Sequence, residues 1–326
     1  MNTHTQTMPV ERSAPGKVIL CGEHSVVYKR PAIAVPLSDL RARATVVPAP
    51  KNQGLRLVAA DLDEETLLQD APPQHPLAAI ARGVLGYLDP TPTFPLGGEG
   101  PDATLTVRSA LPIAAGLGSG AAVSVASARA LAAYLGHELD AEMASALSYE
   151  VEKIHHGTPS GIDNTVIAYE QPVYFVKGTP PQVFTIGATF HLLIADSGIP
   201  SSTREAVAGV RRRWEAAPET YNELFDRIAA LVDAARTAVA GGDVRALGPL
   251  LDENHSLLCE MGVSLPELDR LVDAARAAGA LGAKLTGGGA GGNIIALVPP
   301  ERAGAVLAAL EAASAARVWQ TTLGEG

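Results

Sequence analysis

The chain has 326 residues, 47% of them hydrophobic, and its 25 Lys and Arg against 35 Asp and Glu leave a formal charge of −10. That length and apolar content suit two cores rather than one, so two domains are expected. The acidic balance and the lack of a long basic block argue against nucleic acid and anionic membrane as partners.

The N-terminal stretch MNTHTQTMPVERS is polar, and no run reaches the roughly 18 apolar residues of a membrane span. With only Cys21 and Cys259 present, the composition points to a reducing cytosol. Each cysteine is expected to be a small buried residue rather than a nucleophile.

In chain order, KVIL (17–20), AIAVPL (32–37), RARATVVP (41–48), LRLVA (55–59) and ATLTVRS (103–109) are short β-prone runs. The alanine-rich run from Ser119 to Leu135 ends at Gly136 and reads as a helix buried on nearly every side. A second helix fits Ala141 to His155, with Asp140 as its N-cap. HLLIADSG (191–198) is a buried-strand candidate, and Ser202 and Glu205 then have the spacing of a capping box.

From there the pattern predicts helices over 202–216, 218–239, 244–261 and 266–278, then GAKLT, NIIALV, the helix ERAGAVLAALEAA and the strand ARVWQTTL. Strand, helix, strand, strand, helix, strand is the order of a split βαβ sandwich. The domain boundary is placed near 186, giving domains 1–186 and 187–326. Arg211, Arg212 and Arg213 read as a solvated helix face in preference to a docking site.

Four stretches could carry chemistry. In APGKVILCGEHSVVY a lysine opens an apolar strand and a Gly-Glu-His turn follows it, either a solvated strand end or a charged site. GLGSGAAVS (116–124) combines glycines that let a ligand approach the backbone with the positive end of a helix dipole, which makes an anion cradle. It lacks the lysine of a P-loop and the GxGxxG of a dinucleotide fold, and the competing reading is a tightly packed turn.

EVEKIHHGTPSGIDN (150–164) offers Glu152 and His156 on one helix face and then Asp163, suited to magnesium and proton transfer or to ordinary helix-end polarity. A zinc site from His155 and His156 is disfavoured, because adjacent helical histidines point apart. KLTGGGAGGN (284–293) has five glycines in six residues, a cost in chain entropy that a ligand or another backbone lying against the loop would justify.

The order PGKVILCGEHSVV, PIAAGLGSGAA, KLTGGGAGG resembles the GHMP kinase superfamily. With HGTPSGIDN, DSGIPSSTREAV and DENHSLLCEMGVSLPELDRLV, the resemblance is closest to the mevalonate kinase family and spans nearly the whole chain. It implies an α+β two-domain GHMP kinase fold: an N-terminal ribosomal-protein-like α/β domain and a C-terminal ferredoxin-like domain with added helices. It further implies phosphorylation of the primary hydroxyl of mevalonate, with ATP as co-substrate and Mg2+ as cofactor.

Under that resemblance Asp163 and Lys17 match the catalytic pair. Gly116, Leu117, Gly118, Ser119, Gly120 and Ala121 match the phosphate loop. Glu23, His24, Thr286, Gly287 and Gly288 match groups around the acceptor, and Glu152 with Ser119 the metal ligands. Gly120 stands where the family usually has a second serine, and Gly288 and Ala290 rearrange its third motif. Rivals are a sister kinase acting on phosphomevalonate, homoserine or a sugar, and a non-catalytic nucleotide-binding protein. A homodimer is implied only at family level.

Overall fold

The computed structural model describes residues 8–88, 100–112, 116–156 and 159–324, without the side chains of 155 and 156. Ile113 to Ala115 at the head of the phosphate loop, and Gly157 and Thr158, therefore lie outside the described residues, as do the side chains of His155 and His156.

In chain order the elements are β1 (Val10–Cys21), β2 (Ala32–Pro48), β3 (Leu55–Ala59), β4 (Glu64–Leu67), α1 (Pro76–Leu88), β5 (Ala103–Ser109), α2 (Ser119–Tyr134), α3 (Ala141–His156) and α4 (Ile162–Tyr169). They continue as β6 (Val173–Phe175), β7 (Gln182–Val183), β8 (Phe190–Asp196), α5 (Thr203–Ala216), α6 (Pro218–Gly241), α7 (Val244–Glu260) and α8 (Pro266–Ala277). The last are β9 (Gly282–Thr286), β10 (Asn293–Leu297), α9 (Ala303–Ala312) and β11 (Arg317–Leu323).

Packing gathers the described residues into two compact units: one from within 1–16, 40–113 and 118–170, the other from within 17–39, 114–117 and 171–326. In the first unit, β4 pairs antiparallel with β3, β3 parallel with β5, and β5 antiparallel with residues 42–48 of β2. Helix α2 is buried on almost every side, among α1, α3 and α4. Its alanines make this possible: with so little side chain, neighbouring helices approach closely and still leave no void.

In the second unit, β11, β8, β10 and β9 form an antiparallel sheet in that spatial order. This is the split βαβ arrangement, with α8 and α9 packed on the sheet and α5 to α7 added before them. Leu268, Leu271, Val272 and Ala275 recur at helical spacing and form the buried stripe of α8. Strand β9 is an edge, and side chains complete its hydrogen bonding. Asp252 Oδ1 accepts from Ala283 N at 2.8 Å, His255 Nδ1 accepts from Leu285 N at 3.3 Å, and Arg276 donates to Ala283 O at 2.8 Å. Helix and strand can lie this close because Gly248 and Gly282 meet where a Cβ on either would come within 2.2 Å of the other segment's backbone.

Several expectations need correction. Cys21 is buried, its thiol pushed up to about 12 by burial, whereas Cys259 is exposed rather than buried. The strand-prone runs 32–37 and 41–48 are one strand, with Pro36 falling between the stretches that pair with β6 and with β5. Arg213 is not simply solvated: it donates to Tyr221 Oη and to the Met261 and Gly262 carbonyls past the end of α7.

Candidate active site

The second unit collects one set of the residues singled out above. Lys17, 3% exposed, sits on β1, and its backbone N donates to Leu117 O at 2.9 Å, so β1 runs beside the start of the phosphate loop. A Cβ on Gly287 would stand 3.7 Å from Gly116 O, which brings the head of the second glycine loop to the same place.

Cross-strand register puts Lys284 and Thr286 of β9 on one face of the sheet with Ile295 and Asn293 of β10. That face meets β1. Thr286 Oγ1 accepts from Ile19 N at 3.1 Å and donates to Ile19 O at 3.0 Å, bridging both main-chain groups. Lys284, wholly buried, forms an ion pair with the equally buried Glu23 and also donates to Leu285 O at 2.6 Å. Burial pushes the Glu23 carboxyl above its ordinary range while the Lys284 ammonium pulls the other way.

After Glu23 the backbone turns through Gly22 and His24. Gly22 adopts φ 105°, and a Cβ there would lie 2.4 Å from Ala32 Cα, so no other residue fits. His24 has φ 61° and ψ −48°, and Ser25 N donates to Glu23 O at 2.7 Å. This is a γ-turn with positive φ, the rare and strained kind. The His24 ring lies 2.9 Å from Gly288 O. A carbonyl only accepts, so Nε2 carries the proton. Burial holds the imidazole neutral, its pKa lowered to about 4.

The glycine loop after β9 is shaped by close backbone contact. A Cβ on Gly289 would stand 2.2 Å from Val263 O, and one on Gly291 2.6 Å from Ile199 O. Ala290 N donates to Val263 O at 2.8 Å, Gly292 N to Ile199 O at 2.9 Å, and Ser201 Oγ to Gly289 O at 2.6 Å. Of the two justifications for so many glycines, an adjoining backbone is met at 289 and 291.

The first unit holds the other set. Gly118 is left-handed at φ 76° and caps α2, so the orphan N–H groups of Ser119, Gly120 and Ala121 form the helix's positive end. Glu152 is part-exposed on α3. Asp163 lies in the first turn of α4, where unpaired N–H groups favour a carboxylate. The next residue anchors it: Asn164 Nδ2 donates to Ser145 Oγ at 2.8 Å and to Ser145 O at 3.1 Å, tying α4 to α3.

The residues expected at the site thus divide between the units at the Leu117–Gly118 bond. Within the second unit Lys17, Glu23, His24, Gly116, Thr286, Gly287 and Gly288 are linked by the contacts above. Sequence reasoning missed Lys284. Its signal was a lysine amid the apolar and glycine residues of GAKLTGGG, where a strand buried on both faces has no solvent to offer an ammonium.

A second cluster invites a metal reading: His255, Cys259 and Asp269 bring ligand atoms within 4.8 Å of one another. The histidine's hydrogen bonds oppose it. Nδ1 accepts from Leu285 N, so the ring proton is on Nε2, the nitrogen facing Asp269 Oδ1 at 3.2 Å and Cys259 Sγ at 3.7 Å. A metal at Nε2 would need that proton gone and an N–H on Nδ1, against the strand's own donor. The cluster is better explained as the cap on the β9 edge.

The GHMP kinases N terminal domain family matches residues 80–171, and the GHMP kinases C terminal family matches 222–316. A mevalonate kinase of Thermococcus sibiricus is 36% identical over 308 residues, 90% of this chain and 91% of its own. The crystal structure of Methanococcus jannaschii mevalonate kinase superposes with a TM-score of 0.83 at 26% identity, covering 99% of this chain and 100% of that one. Mevalonate kinase of L. major in complex with R-mevalonate superposes with a TM-score of 0.80 at 28% identity, with 98% of each chain covered. The chain therefore belongs to the mevalonate kinase family of the GHMP kinases, and its fold and motifs are those of an ATP-dependent kinase.

Proposed function

We propose that the chain transfers the γ-phosphoryl group of ATP to the primary hydroxyl of mevalonate, giving 5-phosphomevalonate and ADP for isoprenoid synthesis. The observation that carries this reading is the placement of Lys17: its own backbone is bonded to Leu117, so the lysine stands at the head of a glycine cradle. Phosphoryl transfer asks a protein for position and charge neutralisation more than for covalent chemistry.

In this reading Asp163 accepts the hydroxyl proton as the oxygen attacks the γ-phosphorus, and the β,γ-bridging oxygen departs with ADP. Lys17 balances the Asp163 charge and that of the transferring group. The amides of Gly116 to Ala121 hold the ATP phosphates. Glu23, His24, Thr286, Gly287 and Gly288 shape the acceptor side. Because Glu23 is wholly buried against Lys284, it acts there by holding the turn in place.

The oxygens of Ser119 and Glu152, both part-exposed, are of the class that magnesium prefers and would hold it. Bound there, the ion supplies neutralisation of the phosphate charge. The domain division at 186, a cytosolic location and a homodimer belong to the same proposal. Among the described residues no helix is long and apolar enough to cross a membrane.

The test is a coupled ADP-release assay with ATP and magnesium against mevalonate, phosphomevalonate, homoserine and galactose, beside the Lys17→Ala variant. Turnover confined to mevalonate and lost in the variant supports the reading. Preference for another acceptor discards the substrate, and no turnover with any acceptor favours a binding protein.

A further inference from the structure

Three ties join β1 and the turn after it to β9 and the loop beyond it: Thr286 to Ile19, Lys284 to Glu23 and His24 to Gly288. Between the second and third ties lies the γ-turn. A non-glycine residue at φ 61° and ψ −48° is strained and persists only where its surroundings impose it. Here the imposing groups are identifiable. On one side Glu23 is fixed by a lysine with no exposure at all; on the other the His24 ring is fixed by Gly288 O.

We propose that Lys284 is a positioning residue for phosphoryl transfer: its ion pair with Glu23 holds the His24 γ-turn in its strained form, and His24 thereby fixes the carbonyl of Gly288 in the glycine loop. The proposal deepens the kinase reading and rests on it for its catalytic consequence.

Several features fit. Lys284 spends a second donor on Leu285 O, within its own strand, so the ammonium has little freedom to swing. Oε1 of Glu23 meets Lys284, and Oε2 has no hydrogen-bond partner among the described residues, so the side-chain bond that orients the carboxylate is the lysine's. A buried ion pair is weak evidence of net stabilisation, because desolvation offsets the attraction, which makes a geometric role the better account. His24 must donate from Nε2 to serve as the second tie, and burial keeps the ring neutral and able to do so.

The single variant Lys284→Met leaves a buried carboxylate without a partner and can fail to fold, so the decisive protein is the double variant Lys284→Met, Glu23→Leu, which removes both charges. Its melting temperature is expected within about 5 °C of the parent. Backbone amide exchange in the peptide spanning 286–293 should rise at least about tenfold while other peptides are unchanged, since local opening is read there directly. In the ADP-release assay kcat should fall about 10- to 100-fold with KM for ATP within about threefold, the mark of lost alignment. His24→Gln, which keeps a side-chain N–H, should retain more turnover than His24→Ala.

A folded double variant with parental exchange at 286–293, or with raised exchange and parental kcat, overturns the proposal. If the parent itself shows no turnover with any of the acceptors, the kinase reading fails instead, and the exchange comparison still decides whether Lys284 holds the loop.

Discussion

Asp163 occupies the first turn of a helix only eight residues long, which its neighbour's bond to Ser145 ties to α3. Asp163→Asn keeps that shape and removes the base. Turnover should fall about 10²- to 10⁴-fold with ATP affinity largely unchanged, measured as kcat beside nucleotide titration; near-parental turnover would remove Asp163 from the role. Gly289 makes a steric prediction. At φ 70° and with Val263 O 2.2 Å from where a Cβ would sit, Gly289→Ala should destabilise by about 1–3 kcal/mol in urea unfolding. A loss under about 0.5 kcal/mol would mean the loop relaxes freely. The sequence showed that these glycines had a purpose; the structure identified the carbonyl that requires this one.

Among elements, those whose ends carry their own signals were legible. Asp140 accepts from Met143 N at 2.7 Å and Ser202 from Glu205 N at 3.3 Å, so the expected caps of α3 and α5 exist, and α6 and α8 open on prolines. Helices α1 and α4 were not anticipated. Gly83 and Gly86 weaken the propensity of α1, while α4 is short and begins at a glycine without a side-chain cap. Both form because they pack against α3. At the β9 edge, Asp252→Ala should cost about 1–3 kcal/mol by leaving Ala283 N–H without its acceptor. Chemical denaturation measures it, and a neutral result would show that water replaces the carboxylate.

At the scale of the whole molecule, two buried histidines bear on acid stability. His24 faces Gly288 O and Arg213; His255 faces Asp269, Cys259, Arg276 and Lys284. Burial is the main cause that lowers each from 6.5 to about 4. The unfolded chain therefore binds more protons between those values. Their contribution is complete above pH 6.5 and declines as pH falls toward 4, at up to about 1.4 kcal/mol per pH unit for each. Unfolding free energies across that range should show the slope, reduced in His255→Gln; an unchanged slope would mean that the ring is not held neutral by the fold.

By itself the sequence determined the local facts: strand and helix periodicity, caps, glycines at strained turns, and the ordered motifs that imply the family. These depend on neighbours a few residues apart, so the chain records them directly. Only the tertiary structure decided that Lys284 meets Glu23 across 261 positions, that His24 is locked to Gly288, and that Asp252 and His255 of α7 complete the β9 edge. Such pairings depend on which faces are buried together, and no spacing in the sequence encodes that for a single lysine or histidine.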